Sequence, residues 1–527
     1  MEEEPPSSHE DQASGKPGRH HRAVFVKSAR DRRVDSSPRG RHRLAQAKGS
    51  LMLLSRRFLI VAVACSFGTT GCLRQTDARA TASGEHVAET VGEDVGPIQE
   101  VDQPSASFIV NGEPFCFAGT NNYYLIYKSH KMVDDVLGAT KSLGLKVIRI
   151  WAYLDRGSLD GTMRNVDGPG EKGGVYFQYW DPGSRRPAYN DGPTGLEHLD
   201  YVLQKAKLLD LKVILVLTNN WREFGGMDQY IVWYGLAEHH QFYIDRSVIG
   251  AYENWIDHLV HRKNSISGSL YRDDPTIFGW ELANEPRCIN AGEFDHASAC
   301  TPETLTRWAD ETSTFIRSID PNHLISVGDE GFFANGTSPH YDGADGVDHV
   351  ALLGVKHIDF GTYHLYPETW GHRTSWASKW IEDHIEAARS AGKPTLLEEY
   401  GMIARRSPNG LIADDARRRR MYSRWHDLLE KRGGNGGLFW MLAGIDDYLD
   451  AQHGMYPDYD HFELYTTDSA ASLVKAFATT MSTDALACKL YRKLVPAGGA
   501  AKSPFVTASR PPNRAEGLPI GLRPPRS

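Results

Sequence analysis

A parallel α/β barrel of eight strands is the fold class that this sequence of 527 residues predicts. Three observations carry it. Short apolar runs recur eight times through the middle of the chain, longer amphipathic segments separate most of them, and every apolar run ends in polar or aromatic residues. Alternating strand and helix patterns imply parallel strands joined by helical crossovers. A (β/α)8 TIM barrel carries its active site at the C-terminal ends of those strands, where polar residues then belong. No sequence-level repeat accompanies the pattern.

The runs follow in order. Phe115 to Gly119 leads into Thr120-Asn121-Asn122, and Lys146 to Ile150, which includes Arg149, leads into Trp151. Val213 to Leu217 leads into Thr218-Asn219-Asn220-Trp221, and Ile277 to Trp280 into Asn284-Glu285. Leu324 to Val327 precedes Asp329-Glu330, and Ile358 to Thr362 precedes Tyr363-His364-Leu365-Tyr366. Thr395 to Leu397 ends in Glu398-Glu399, and Gly437 to Met441, with Trp440, closes the series. Apolar residues at three-to-four spacing predict helices over Leu196 to Asp210, Leu305 to Ile319, Trp376 to Ala391 and Ala413 to Lys431. Gly392 and Gly433 stand where helix stops belong. The glycine run 433–437 is such a stop before the eighth strand, not a phosphate loop. The segment between Asp155 and Gly195 exceeds ordinary βα loop lengths and reads as a loop walling a cleft.

Residues 105–495 therefore form a single catalytic domain, within the roughly 250–400 residues such a barrel spans. Residues 1–51 are polar and unpatterned: a disordered tail, or a mis-called start with Met52 as the true one. Residues 52–72 combine Arg56-Arg57 with a short apolar run from Phe58 to Cys65. That run is too short to span a bilayer and has the layout of an export signal. Thr69-Thr70-Gly71-Cys72 resembles a lipoprotein cleavage box, which makes Cys72 the candidate lipid anchor; a plain secretory signal is the alternative. Residues 73–104 read as a linker, and 496–527, rich in proline, as a disordered tail.

Formal net charge is −8, and residues 1–57 carry about +6, leaving about −14 on the rest. Nucleic acid is excluded as a partner, and a monomer is expected. Cys288 and Cys300 are spaced to close a loop; Cys116 and Cys488 either pair or stay buried thiols. No zinc spacing occurs. The aspartates 446, 447, 450, 458 and 460 lack a twelve-residue calcium loop, so a solvated loop is expected and no metal.

Two glutamates on separate strand ends, Glu285 and Glu399, are what glycoside hydrolysis needs. Neighbouring strand residues point to opposite faces, so Glu398 and Glu399 cannot face the cleft alike, and Glu281, one strand repeat inward of Glu285, reads as buried and paired. The chain further resembles the glycoside hydrolase family 5 endo-β-1,4-mannanases. The matching strings are Phe117 to Tyr124, Arg149-Ile150-Trp151, Asn219-Asn220-Trp221, Trp280 to Cys288, His364-Leu365-Tyr366, Glu398-Glu399-Tyr400-Gly401 and Phe439-Trp440. The resemblance implies Glu285 as proton donor and general acid/base and Glu399 as nucleophile, with retention through a covalent intermediate. It implies Arg149 and Tyr366 as partners of the nucleophile. It places Trp151, Asn219, Asn220, Trp221, Asn284, Arg287, His364, Tyr366 and Trp440 in substrate binding. A general acid must hold its proton near neutral pH, so a raised pKa is expected for Glu285. No cofactor is implied, and the partner is a mannan-type polysaccharide. A β-glucanase or exo-mannosidase of the same clan and a non-catalytic carbohydrate-binding surface lipoprotein are the rival readings.

Overall fold

The computed structural model describes residues 106–168, 172–289, 294, 299–407, 411–447, 454–494 and 506–508. The expected tail, the export segment with Cys72 and the linker lie outside the described residues.

Eight strands form one parallel sheet: β1 (Phe117–Asn122), β2 (Val147–Trp151), β3 (Lys212–Val216), β4 (Ile277–Glu281), β5 (Leu324–Ser326), β6 (Gly361–Leu365), β7 (Thr395–Tyr400) and β8 (Gly436–Phe439). Their order is β5-β4-β3-β2-β1-β8-β7-β6. The seam between β5 and β6 is stitched by Asp359 N donating to Ile325 O (2.8 Å), Ile325 N to Asp359 Oδ2 (2.8 Å) and His364 N to Glu330 O (3.1 Å). The eight predicted runs are these strands, and the fold is the expected (β/α)8 barrel.

The crossovers are α1 (His130–Ser142), α2 (Glu197–Leu208), α3 (Arg246–Val260), α4 (Pro302–Ile319), α5 (His349–Gly354), α6 (Trp376–Ala391), α7 (Asp415–Arg432) and α8 (Ala471–Thr483). Local chemistry fixes their ends. Ser129 Oγ accepts from Met132 N before α1, and Asp245 accepts from Ser247 N and Val248 N before α3. Pro302 opens α4, where a missing N–H costs nothing. Gly392 and Gly433 close α6 and α7 in the left-handed conformation, as the sequence predicts.

The barrel interior is layered. Its lower half is apolar, one side chain per strand or strand start: Phe117, Val147, Ile214, Phe278, Leu324, Phe360, Leu396 and Leu438. Phe108, from a short strand Phe108–Val110 ahead of the barrel, plugs this ring and meets Phe278 and Phe360 edge-on at 5.2 Å each. The upper half is polar, because Arg149, Glu281, Glu398 and His364 stand there fully buried.

Two features differ from expectation, and one that stood open is settled. The 155–195 segment holds a small sheet of Asp155–Ser158, Gln178–Asp181 and Arg186–Tyr189 rather than a loop. Gln178 Nε2 anchors it by donating to Asp155 Oδ1 (2.7 Å). Val506–Ala508, in the tail expected to be disordered, pairs in parallel with Phe108–Val110, satisfying an edge that would otherwise be open. Cys116 and Cys488, left open by the sequence, are bridged, as are Cys288 and Cys300. No helix among the described residues is long and apolar enough to cross a membrane.

Because Phe108 is fully buried yet remote from the polar layer, Phe108→Ala is expected to cost about 3–5 kcal/mol of stability through the cavity it leaves. A urea titration of both proteins reads this as a lowered midpoint, with kcat unchanged.

Candidate active site

Arg149 stands mid-strand in β2, two residues beyond Val147 and on the same inward face. Its guanidinium is saturated. Nε and Nη2 donate to Glu281 Oε1 (3.0 and 2.6 Å), Nη2 to Asn284 Oδ1 (2.7 Å), and Nη1 to Asn121 Oδ1 (3.1 Å) and Glu399 Oε1 (2.5 Å). Glu398 Oε2 lies 3.6 Å from Nε. Glu281 is therefore buried and paired, as expected.

The arrangement of Glu398 and Glu399 departs from simple alternation. Tyr363 pairs with Leu397 and His364 with Glu399, so the register skips Glu398. This β-bulge turns both neighbouring carboxylates toward Arg149, where an unbroken strand would separate them. Asn121 Nδ2 holds the bulge by donating to the Glu398 carbonyl (2.9 Å).

Glu285 lies four residues past the end of β4 with φ +51°, a conformation that costs a non-glycine residue about 1 kcal/mol. Backbone bonds hold it: Asn284 N donates to Thr218 O and Glu285 N to Gly328 O, each 2.9 Å. Gly328 has φ +83°, and a Cβ there would lie 2.0 Å from Ala283 O and 2.5 Å from Glu281 Oε1, so only glycine fits this approach. The Glu285 carboxylate is bracketed by Trp221 Nε1 donating to Oε2 (2.5 Å) and His364 Nδ1 at 2.7 Å from Oε1. His364 Nδ1 is also 3.6 Å from Glu399 Oε2, which accepts from Tyr366 OH (2.8 Å). One oxygen of each glutamate and a ring nitrogen of His364 lie within 4.8 Å of one another.

The charge pattern corrects one expectation. Burial pushes Glu285 up, but the hydrogen bond and charge of His364, with Arg287 and Trp221, outweigh it and bring the carboxyl down to about 2. His364 is held well above the ordinary histidine value: burial opposes this, and Glu399, Glu285 and Glu398 overcome it. Without substrate the proton thus sits on the imidazole, one hydrogen bond from Glu285, rather than on the carboxyl. Burial raises Glu399, with His364, Arg149 and Tyr366 pulling against it and the charge of Glu285 adding to it. Burial also raises Glu281, with Arg149 countering and Glu398 reinforcing.

Exposure divides the expected site residues. Trp221, Glu285, Arg287, Tyr366 and Trp440 are partly exposed and form the wet face. Arg149, Trp151, Asn219, Asn220, Asn284, His364 and Glu399 stand buried behind it. Asn220 is 0 % exposed; its Oδ1 accepts from Arg287 N (3.1 Å) and lies 2.9 Å from His239 Nε2. Through Oδ1 it positions the Arg287 backbone, and its Nδ2 is buried without a partner. His364 meets the carboxylates rather than the open cleft. Asn219 Oδ1 accepts from Asn284 Nδ2 (3.0 Å), leaving Asn284 one N–H hydrogen for a ligand. The guanidinium of Arg149 lies 4.9 Å from the Trp151 ring centroid.

Three residues that fix the wet face carried no role in the sequence reading. Glu330 pairs with Arg287 through both oxygens, which stacks the guanidinium 5.2 Å over Trp221. Asp460 Oδ2 accepts from Trp440 Nε1 (2.8 Å), and Tyr123 stacks on Trp440 at 5.9 Å. Glu330 follows the end of β5 by four residues, and that place at a strand mouth was the available signal. Asp460 comes from a loop, and nothing in the sequence ties it to Trp440.

A barrel with two facing glutamates above a buried arginine defines a glycoside hydrolase, and sequence comparison agrees. A family profile described as GH family 5 beta-mannosidase-like matches residues 101–483. The chain belongs to glycoside hydrolase family 5. It is 38 % identical over 304 residues to a probable mannan endo-1,4-β-mannosidase C of Aspergillus terreus, covering 56 % of this chain and 71 % of that protein. It is 35 % identical over 338 residues to mannan endo-1,4-β-mannosidase A of Podospora anserina, covering 63 % and 79 %. Among solved structures, an endo-1,4-β-mannanase from Rhizomucor miehei superposes with TM-score 0.63 at 38 % identity, covering 72 % of this chain and 98 % of that one. An endo-β-1,4-mannanase from Thermotoga petrophila gives 0.59 at 39 %, covering 71 % and 78 %.

Removing the imidazolium removes a cation that lowers the pKa of Glu399. His364→Asn is therefore expected to move the acid limb of kcat/KM up by roughly one pH unit, because the carboxylate then protonates at higher pH. The proton store is lost with it, so kcat falls about 10²-fold. Parallel pH–rate profiles of the two enzymes check both effects.

Proposed function

We propose that the protein hydrolyses β-1,4-mannosidic bonds within mannan chains, with retention of configuration. The observation that carries this is the convergence of Glu285 and Glu399, with oxygens within 4.8 Å across His364, at the mouth of a barrel whose relatives are endo-mannanases. Retaining glycosidases keep their carboxyls about 5–5.5 Å apart, whereas inverting ones leave roughly 6.5–9.5 Å for a water.

Glu399 is the nucleophile. Arg149 and Tyr366 bind its two oxygens, which orients the carboxylate and favours its ionised form. It attacks the anomeric carbon and forms a glycosyl ester. Glu285 gives its proton to the departing glycosidic oxygen, drawing that proton from His364 along the 2.7 Å bond when substrate covers the site. The pair titrates as one unit, so a depressed carboxyl pKa in the open site is compatible with acid catalysis. In the second half, Glu285 takes a proton from water, which attacks the ester from the vacated side. The free N–H of Asn284 suits a hydroxyl beside the reacting carbon, where such bonds strengthen in the transition state. Trp440 supplies an apolar face for the reacting sugar, and Trp221 with Arg287 supports the leaving-group side. The export-type segment 52–72 favours action outside the cell, with Cys72 as the point of attachment where the protein is lipidated.

Mannohexaose is the discriminating substrate. Internal cleavage products of β configuration, seen by time-resolved NMR, are expected; single mannose units from one end would assign an exo mode, and α products an inverting one. Glu285→Gln and Glu399→Gln are each expected to lower kcat by at least about 10⁴-fold. A fully active Glu399→Gln enzyme would sink the nucleophile assignment.

A further inference from the structure

A second group of converging carboxylates lies in the loop after β8. One oxygen each of Asp458, Asp460 and Glu463 falls within 4.8 Å of the others. Glu463 is 1 % exposed, and the Asp458 side chain is 9 % exposed. Asp458 Oδ1, Asp458 Oδ2 and Glu463 Oε2 are all buried without a hydrogen-bond donor. Buried anionic oxygens with nothing to pair with carry a heavy desolvation cost, and proteins relieve it with a donor, a proton or a cation.

Donors are accounted for. Tyr459 N serves Glu463 Oε1 (3.1 Å), Phe462 N serves Asp460 Oδ1 (3.0 Å), and Trp440 Nε1 serves Asp460 Oδ2. Among the described residues no lysine or arginine forms an ion pair with any of the three. The basic group beside them is His461, whose buried Nδ1 lies 3.9 Å from Asp458 Oδ2, too far for a hydrogen bond. Arg418 reaches the Glu463 main-chain carbonyl, not its carboxylate.

We propose that Asp458, Asp460 and Glu463 form a calcium site that fixes the loop after β8 beneath Trp440. An all-carboxylate set on an irregular loop suits a hard cation of flexible coordination. Magnesium would demand near-ideal octahedral geometry, which this loop does not impose. Asp458 and Glu463 supply the buried wall, and partly exposed Asp460 leaves a side open for water ligands and for the ion to enter. Asp460 also holds the indole of Trp440, so the ion is two bonds of contact from the sugar platform. The cluster sits where the sequence alone suggested only a solvated acidic loop.

The full secreted chain, stripped with EDTA and dialysed, tests this. Inductively coupled plasma analysis after equilibration with micromolar CaCl2 is expected to find one calcium per chain. Thermal unfolding is expected to rise by several degrees with CaCl2 and little with MgCl2. Asp458→Asn should abolish the bound calcium and the calcium-dependent rise while keeping the Tm of the stripped wild type, and Glu463→Gln should do likewise. Tryptophan emission should shift on calcium addition in wild type and stay constant in Asp458→Asn. A wild-type Tm indifferent to millimolar CaCl2, with no retained calcium, overturns the site in favour of a proton shared between Asp458 and Glu463. A Tm rise that persists in Asp458→Asn overturns it in favour of binding elsewhere. None of these readouts uses the hydrolytic reaction, so the site stands or falls apart from the proposed mannanase activity.

Discussion

The Arg149 guanidinium is the interaction on which the upper half of the barrel depends. It is fully buried and gathers Glu281, Glu398, Glu399, Asn121 and Asn284 around one charge. Each carboxylate alone would be costly there, and so would the cation alone. Removing the arginine would leave several carboxylates uncompensated, which is far worse than losing one contact. The arrangement is weak as a source of net stability but strong as a source of geometry, because a planar fork with five donors fixes its partners in direction as well as distance. Glu399 is aimed by that fork, and Asn284, next in sequence to Glu285, is held by the same group. The two glutamates are thereby referenced to one rigid centre.

The lower half of the barrel carries the opposite duty. Its ring of one apolar side chain per strand, closed by Phe108, is ordinary hydrophobic packing and supplies stability without any polar requirement. Strand order and register belong to this layer. The upper layer then spends that stability on local irregularity: the bulge at Glu398 and the left-handed backbone at Glu285. Both would be unfavourable in isolation. They persist because Asn121, Thr218 and Gly328 fix the backbone around them from strands that the apolar ring has already aligned.

This division also explains what could be read from the sequence. Apolar runs and their polar ends report the lower layer and the strand mouths directly, so the barrel, the β4 and β7 positions of Glu285 and Glu399, and the buried pairing of Glu281 were all visible. The bulge was not, since Leu397-Glu398-Glu399 reads as plain alternation until a partner strand is known. The hold of Asn220 Oδ1 on the Arg287 backbone was not visible either, because that contact joins two strand mouths far apart in sequence. The pKa of Glu285 was misjudged for a related reason. Burial alone argues for a raised value, and the 2.7 Å approach of His364, with Arg287 and Trp221 beside it, reverses it. Glu330 and Asp460 act on residues far from them in sequence, and no spacing rule reaches across that separation.

The wet face has a common construction. Arg287 is held by Glu330, Trp440 by Asp460, Tyr366 by Glu399 and Trp221 by Glu285. Each group that can meet a ligand is a donor whose hydrogen already points at a carboxylate. Such groups present their ring faces or their outer edges, not their N–H or O–H, to the cleft. Recognition at these positions is then mainly stacking and shape, with directed hydrogen bonding left to Asn284 and the catalytic carboxylates. The same carboxylates make the cleft acidic, and a neutral polysaccharide is a ligand that such a field neither attracts nor repels. Two of the four, Glu285 and Glu399, are also the carboxyls proposed to react, so the position of Trp221 or Tyr366 and the charge state of that carboxyl are linked by a single hydrogen bond each. Substrate contact at either aromatic can therefore reach the proton balance of the site directly.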